Sequence, residues 1–461
     1  MKQDKLSIKS LLAILSAGLF SFCGVLIETA TNITFPTLIN EFNVTTSTVQ
    51  WMTTGNLLTM GIFIPISSYL KKRFPSKQLF LVAGCLFSLG LIIDSLTSYF
   101  SILLVGRLLQ GAGVGIALPM MYNIILEESP QRLLGFMMGC GAFVTAAAPA
   151  IGPTFGGLMT QYFSWRFIFI SVLPLIIMAS IIGYFCISDK EKYMNEKLDV
   201  KGFIAIALSF VLLIIGFSHL DKVFDQPFMV IAYFIFGIIS IVYFAYHQKN
   251  IEHPLIHFQI FDNKGFMFHT LAIMFLQMTT LGFGLLLPSF VQIVLKESAT
   301  SAGVVLLPGA IVGAVLAPIG GLILDKFGAK KPIILGVICC CISVSGFLLL
   351  FLQLTYMTCV VLYFIYSLGI GMIVGNTMTR ALSLLKENLH ADGNATLQTL
   401  MQLSGGIGTS ISAAILSFSQ QGVELLEGTK RGTLFVIVFL VINVFIVACF
   451  QKLAFQSKGD E

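Results

Sequence analysis

Apolar residues run along the chain in blocks of about twenty, separated by short stretches rich in charge, glycine or proline. A block of that length matches the roughly 30 Å of hydrocarbon that a helix must cross at about 1.5 Å per residue. Reading each block between its charged or turn-forming borders predicts fourteen membrane-spanning helices, at residues 11–35, 48–70, 78–97, 101–126, 133–160, 166–187, 202–219, 228–246, 266–294, 302–324, 332–352, 357–380, 395–419 and 432–451. The chain of 461 residues then keeps only short loops and tails. No sizeable soluble domain fits in what remains.

Composition agrees with this pattern. Hydrophobic residues make up 56% and charged residues 11%, against about 25% charged in soluble domains, and mean hydropathy is +0.92. A disordered chain, a secreted disulfide scaffold and a soluble nucleotide enzyme are excluded. The net charge of +5 does not point to nucleic acid, because lysine and arginine are scattered in short loops with no long basic run. They fall about four to one on alternate loops, the asymmetry that marks cytoplasmic loops. Both termini are therefore expected in the cytoplasm, in a multi-pass protein of the cell membrane. The nine cysteines lie almost all inside apolar runs with no paired spacing, so they read as small core side chains, not disulfides or metal ligands.

Residues 65–81, PISSYLKKRFPSKQLFL, and 318–334, PIGGLILDKFGAKKPII, form an internal repeat, each in a short basic loop between two spans. The repeat predicts an all-α membrane protein with two six-helix bundles, residues 1–187 and 265–461, and two helices inserted between them within 188–264. Repeats of this kind place a binding site between the bundles near the bilayer midplane. The inserted pair carries few polar residues beyond His219 and Asp221 and is expected to be a lipid-facing spacer.

Three stretches carry chemistry that an apolar helix does not need. In the fourth span, Leu104-Val105-Gly106-Arg107-Leu108-Leu109-Gln110-Gly111-Ala112-Gly113-Val114-Gly115 sets one arginine in an apolar run. A guanidinium in hydrocarbon costs at least about 2.5 kcal/mol, so Arg107 needs a cavity or a counter-ion. The plainer use is to tie helices together through backbone carbonyls. The first span holds Glu28-Thr29-Ala30-Thr31-Asn32-Ile33-Thr34-Phe35-Pro36, where Glu28 is the acid well inside a span of the N-terminal half. Asp94 lies near the outer end of the third span, where water is expected to reach it. Glu28 and Arg107 stand about 12 Å and about 9 Å from the outer ends of their helices, so they can share a depth. In the fifth span, Pro149-Ala150-Ile151-Gly152-Pro153-Thr154-Phe155-Gly156-Gly157 combines prolines that remove backbone donors with a small-residue face at Gly152 and Gly156.

The stretch Gly321-Leu322-Ile323-Leu324-Asp325-Lys326-Phe327-Gly328-Ala329-Lys330-Lys331 resembles the loop signature GxLaDrfGrk of the major facilitator superfamily. The resemblance implies that Asp325 caps a neighbouring helix and, with the turn at Gly328, steadies one conformation of a cytoplasmic gate. The first-half copy departs from it, with Ser68, Lys72 and Pro75 where a glycine, the acid and the turn glycine are expected. The run around Arg107 is similar to the superfamily's fourth-helix pattern RxxqGxg. The fifth span resembles the GPxxGG signature of its exporters, which implies a conformational role for Pro149, Gly152, Pro153, Gly156 and Gly157. Glu28 to Pro36 resembles the first-helix signature ldxtivnvalP of the fourteen-helix drug:proton antiporters, with Glu28 in place of the usual aspartate. Trp165-Arg166-Phe167, His253-Pro254-Leu255, Leu287-Pro288-Ser289 and Leu307-Pro308-Gly309 extend the resemblance over nearly the whole chain.

The resemblance implies a proton-coupled antiporter of a bacterial cell membrane that exports lipophilic, often cationic, drugs by alternating access. Such coupling needs a titratable group whose hold on a proton changes as its surroundings alternate. Glu28, with Arg107, is the candidate; a carboxyl fixed in a static helix–helix hydrogen bond is the structural alternative. Asn32, Gln110, Asn123, Gln277 and Asn376 are uncharged polar residues on candidate cavity helices and are taken as substrate contacts. An apolar cavity with sparse polar points suits lipophilic compounds, because displaced water supplies affinity without a fixed hydrogen-bond template. Around the start of the thirteenth span, Asn394, Gln398 and Gln402 share one helix face, which either lines the pathway or packs on the last helix. The same coupling could instead export a specific endogenous lipid, fatty acid or metabolite. An enzyme or receptor is disfavoured by the lack of an HExxH motif or a GxSxG elbow, and an ATP-driven pump by the lack of a GxxxxGKS/T loop. The partners expected are small-molecule substrates, protons and the lipid bilayer, with no cofactor, metal, nucleic acid or adaptor protein.

Overall fold

Short polar side chains start several of the helices. Ser7, Asp199, Asn263 and Thr355 stand at N-cap positions and each accepts a hydrogen bond from a backbone amide of the first turn, satisfying donors that a helix start leaves open. Pro36, Pro227 and Pro308 occupy first turns, where a missing amide costs nothing. The computed structural model describes residues 7–456 except 45, 50, 190–198, 221, 222, 224, 252, 253, 298 and 421–423, and leaves out the side chains of 36, 46, 47, 153, 218, 299, 300, 420 and 425. Asp221, His253 and the side chain of Pro153 thus lie outside the described residues.

The described elements are all helical. The first run is α1 (Ile8–Asn32), α2 (Phe35–Phe42), α3 (Thr46–Val49), α4 (Trp51–Arg73), α5 (Ser76–Leu96), α6 (Phe100–Glu128), α7 (Leu134–Tyr162) and α8 (Arg166–Cys186). Next come α9 (Val200–Ser218) and α10 (Pro227–Asn250). The chain continues with α11 (Lys264–Ile293), α12 (Ala299–Val304), α13 (Leu307–Phe327), α14 (Lys330–Leu349), α15 (Tyr356–Ser383), α16 (His390–Gln420) and α17 (Leu425–Ala454). Among the described residues, thirteen helices are long and apolar enough to cross a membrane. The expected span 48–70 corresponds to α4, which is outside that set; at 23 residues it is about 34 Å long, but it carries Thr53, Thr54, Asn56, Thr59, Ser67 and Ser68 along its length.

Three helix borders differ from the expectation for physical reasons. The expected span 11–35 stops at Asn32, because α2 begins again with Pro36 in its first turn. The expected span 302–324 is split, with α12 ending at Val304 and α13 restarting with Pro308 in its first turn. The helix expected from 395 begins at His390, its first turn hidden from an apolar reading by Asp392.

Buried apolar side chains form two large clusters. One runs from Ala13 to Ile187 and takes in Phe244, Leu255, Phe266, Leu382 and Leu397. The other runs from Ala272 to Val447. A small third cluster joins Phe210 and Leu213 of α9 to Leu403 of α16. Helix α9 packs on α4 and α16 as well as on α10, whereas α10 leaves Phe228, Ile231, Ile235, Phe236 and Tyr246 exposed. Of the two, α10 presents the broad apolar surface expected of a lipid-facing spacer; α9 keeps a narrower exposed stripe at Val200, Ile204 and Leu208 and otherwise packs on helices from both ends of the chain.

Candidate functional site

Helices α5 and α6 meet through glycine. A Cβ on Gly90 would stand 2.6 Å from the Gly106 carbonyl oxygen, and a Cβ on Gly106 would collide with Asp94 Oδ1. The close approach seals Asp94 from water: its side chain is 0% exposed. This corrects the expectation that Asp94 is wetted near its helix end. Asp94 Oδ2 accepts a 2.8 Å hydrogen bond from Gln110 Nε2, and Gln110 Oε1 accepts one of 2.6 Å from Arg107 Nη1. Arg107 is 1% exposed, donates from Nε to the Met52 carbonyl at 3.3 Å, and leaves Nη2 without a partner. Asn56 Nδ2 donates to the Arg107 carbonyl at 2.9 Å, fixing α4 against α6 at this level.

Glu28 faces the same patch from α1. Gly24 packs on Val114, and Glu28 and Arg107 lie about 6 Å and about 10 Å from that contact in the same direction along their antiparallel helices. Arg107 interacts electrostatically with both Glu28 and Asp94, with no carboxylate in direct ion-pair contact with it among the described residues. The Glu28 side chain is half-buried. The structure thus gathers Glu28, Asp94, Arg107 and Gln110 into one polar patch inside apolar helices.

The other polar candidates do not converge on it. Asn32 is exposed at the end of α1, where its Oδ1 accepts a 2.6 Å hydrogen bond from Thr53. Asn123 lies about 20 Å further along α6 than Gln110, buried, accepting a 2.8 Å bond from Asn394 Nδ2. Asn376 donates to its own helix at Met372 O, 2.7 Å, and packs on Gly320 of α13. Gln277 is half-buried beside Gly405 of α16.

A second constellation lies at the end of the helices that carries Lys72 and Asp325, here the basic end. Asp325, near the end of α13, accepts hydrogen bonds from the Gly135 amide at 2.7 Å and the Phe136 amide at 2.8 Å. A carboxylate at the start of α7 meets both open donors and the positive end of the helix dipole. Gly321 and Gly135 bring the two backbones together there. Gly328, at φ +82°, makes the turn that ends α13. Gly152 and Gly156 pack α7 on Thr29 and Ala30 of α1, Gly157 faces open space, and Pro149 is exposed.

The first-half copy, which lacks the acid, has a basic counterpart of this contact. Lys72 Nζ pairs with Asp392 Oδ1 at 2.7 Å, and Ser68 donates to the same carboxylate. Asp392 sits in the first turn of α16 at 0% exposure, and its Oδ2 accepts from His257 Nδ1 at 2.6 Å and from the His257 amide at 3.2 Å. The residue that replaces the acid therefore finds an acid on the facing helix. Asp392 and His257 were not legible as site residues; the lysine at the acid position was the available signal. Asn394, two residues on, also bonds the Pro119 carbonyl at 2.8 Å, so its helix face turns to α6, and Gln402 reaches Met60 Sδ on α4 at 3.8 Å.

The segment carrying His257 is anchored by the inserted pair. Gln248 Oε1 accepts from the Leu255 amide at 2.6 Å, and its Nε2 donates to Asp199 Oδ2 at 2.5 Å. His247 Nε2 meets Asp199 Oδ1 at 2.8 Å. Burial works against the Asp199 carboxylate, but the Gly202 amide, His247 and Gln248 outweigh it and hold its pKa below the ordinary value.

Known proteins are similar to this chain in sequence and in fold. The family model of the Major Facilitator Superfamily matches residues 17–409. A Bacillus subtilis protein named as an uncharacterized MFS-type transporter, YhcA, is 32% identical over 406 residues, 88% of this chain and 76% of that one. The lincomycin resistance protein LmrB of Bacillus subtilis is 33% identical over 413 residues, 89% of this chain and 85% of that one. A solved structure of the proton:xylose symporter XylE superposes with a TM-score of 0.68 at 14% identity, covering 97% of each chain, which is evidence for the fold alone. Thirteen apolar helices, the gathered motifs and a family match over most of the length make this chain a member of the Major Facilitator Superfamily, a multi-pass membrane transporter and not an enzyme.

Proposed function

We propose that the protein exports lipophilic, often cationic, drugs from the cytoplasm of a bacterial cell in exchange for protons. The observation that carries this reading is the polar patch of Glu28, Arg107, Gln110 and Asp94 within apolar helices, where a charge that water cannot reach must be balanced or neutralised. Glu28 is the proton carrier and Arg107 its partner: the acid loads on the outer face and releases its proton when the helices around it rearrange. Relatives named for lincomycin resistance and for multidrug resistance support drug efflux.

In this reading the chain has fourteen spans, with α4 as the second, in two six-helix bundles, residues 1–187 and 265–461, joined through the inserted pair. Both termini and the basic end face the cytoplasm. Contacts between the bundles at that end, Asp325 with α7 and Asp392 with Lys72, correspond to a conformation shut toward the cytoplasm. Alternating access then consists of breaking these contacts while closing the opposite end.

The test is efflux of a lipophilic cationic dye from energised cells, with and without a protonophore. Efflux is expected to stop when the gradient collapses. Glu28→Gln is expected to reach the membrane folded and to lose proton-driven efflux. Full transport by this variant in vesicles with an imposed pH gradient refutes the role of Glu28.

A further inference from the structure

Arg107 carries one positive charge, yet two carboxyls interact with it, Glu28 from α1 and Asp94 from α5. In a low-dielectric interior one guanidinium balances one carboxylate, and a second carboxylate without a cation is strongly disfavoured. The two acids are held differently. Glu28 is half-buried and its carboxylate has no hydrogen-bond partner among the described residues, whereas Asp94 is sealed, with Oδ2 held by Gln110 and Oδ1 left without a donor. A carboxylate oxygen with no donor is the position a proton can occupy without displacing one. Among the described residues, the other neighbouring helices add no free charge at this level. Helix α4 presents the Met52 carbonyl and the Asn56 amide, and at the start of α8 Arg166, bonded to the Thr97 carbonyl, is paired with Glu41 at 2.8 Å.

We propose that Asp94 is a second proton-binding carboxyl of the coupling site, so that Glu28 and Asp94 hold one proton between them opposite Arg107. The proposal rests on the proton-coupled reading above. When Glu28 takes a proton, the Asp94 carboxylate balances Arg107 through the Gln110 amide. When Glu28 gives up its proton, that proton passes to Asp94 Oδ1 and the Glu28 carboxylate balances Arg107; Asp94 releases it to water when the helices around it rearrange. One proton thus passes from water to Glu28, from Glu28 to Asp94 and from Asp94 to water, and no other bond changes. Gly106 and Gly90 provide the space that keeps Asp94 dry and within reach.

The test is the pH profile of efflux. Asp94→Asn keeps an acceptor for the Gln110 amide and removes the second charge. Arg107 then pulls on Glu28 alone, and its loading needs more acid: the midpoint of the profile is expected to move toward acid by about one pH unit, tenfold in proton concentration. Gln110→Met, which cuts the bridge and leaves both acids, is expected to move it in the same direction by less. It decides the matter if Asp94→Asn does not reach the membrane. Parental efflux that persists when a protonophore collapses the gradient refutes the proton-coupled reading itself, and full proton-driven efflux by Glu28→Gln refutes Glu28 as the carrier with which Asp94 shares its proton. A dead Glu28→Gln together with parental midpoints in the other variants refutes only the role of Asp94.

Discussion

Lys72 and Asp392 form an ion pair of 2.7 Å across 320 residues of sequence. The pair joins the end of α4 to the start of α16 at the position where the second-half copy uses Asp325 on the amides of α7. The two copies thus make the same inter-helix closure with opposite chemistry. One is a carboxylate reaching to bare amides, and the other a lysine reaching to a carboxylate.

Reversing one partner tests that closure. Lys72→Glu sets two acids face to face with Asp392 buried, and loss of a partner from a buried pair costs about 3–5 kcal/mol. The variant is expected to melt at a lower temperature in detergent and to transport poorly, and the double variant Lys72→Glu with Asp392→Lys is expected to recover part of both. Unchanged melting and transport in the single variant shows that the pair holds nothing.

Removing Asp325 leaves two amides at the start of α7 without their carboxylate. Hydrogen bonds to a charged group are worth about 1.5–3 kcal/mol, so Asp325→Ala shifts the balance away from the closed basic end by roughly tenfold or more. Distances between spin labels on α7 and α13, read at the basic end, are expected to broaden toward longer values. A distribution identical to the parent's counts against a latch at Asp325.

Two glycines make a paired comparison. A methyl group at Gly106 collides with Asp94, while one at Gly157 meets nothing within 4 Å. Gly106→Ala is expected to destabilise by about 1–3 kcal/mol, the usual range for overpacking, and Gly157→Ala to leave the melting temperature unchanged. Equal effects in the two would mean that α5 and α6 separate without resistance.

Asp199→Ala removes the cap of α9 and the acceptor of both His247 and Gln248, for an expected loss of about 1–2 kcal/mol in unfolding experiments near neutral pH. The folded pKa of Asp199 lies below the ordinary 3.8. Its stabilisation is therefore complete above that ordinary value and is lost as pH falls through the lower folded value. The gap between variant and parent is expected to stay level from neutral pH down to about pH 5 and to close only in strong acid.

The helices were legible because an apolar block is its own signal, and Arg107 and Glu28 because charge is rare inside one. Depth is hidden at Asp94: two residues from the end of α5 looks wet in sequence, and the contact of Gly90 with Gly106 makes it dry. Asp392 falls between the expected spans because an acid interrupts an apolar window, although it lies in the first turn of a helix. Its partners Lys72 and His257 lie 320 and 135 residues away, and no local pattern joins them. The uncharged candidates failed to converge for a similar reason. Asn123 and Asn376 satisfy their amides against neighbouring helices, and an apolar background does not reveal which polar side chain is spent on packing.

The knot of Asp199, His247 and Gln248 makes the inserted pair a strut. It grips the chain at Leu255, two residues before the histidine that touches Asp392. A shortened protein with α9 and α10 excised would keep the helices on either side, yet the segment that carries His257 to Asp392 would be untethered and the Lys72 contact would lose its backing. Trimming those two helices from this transporter is thus the amputation of a brace at its basic end and not the removal of ballast.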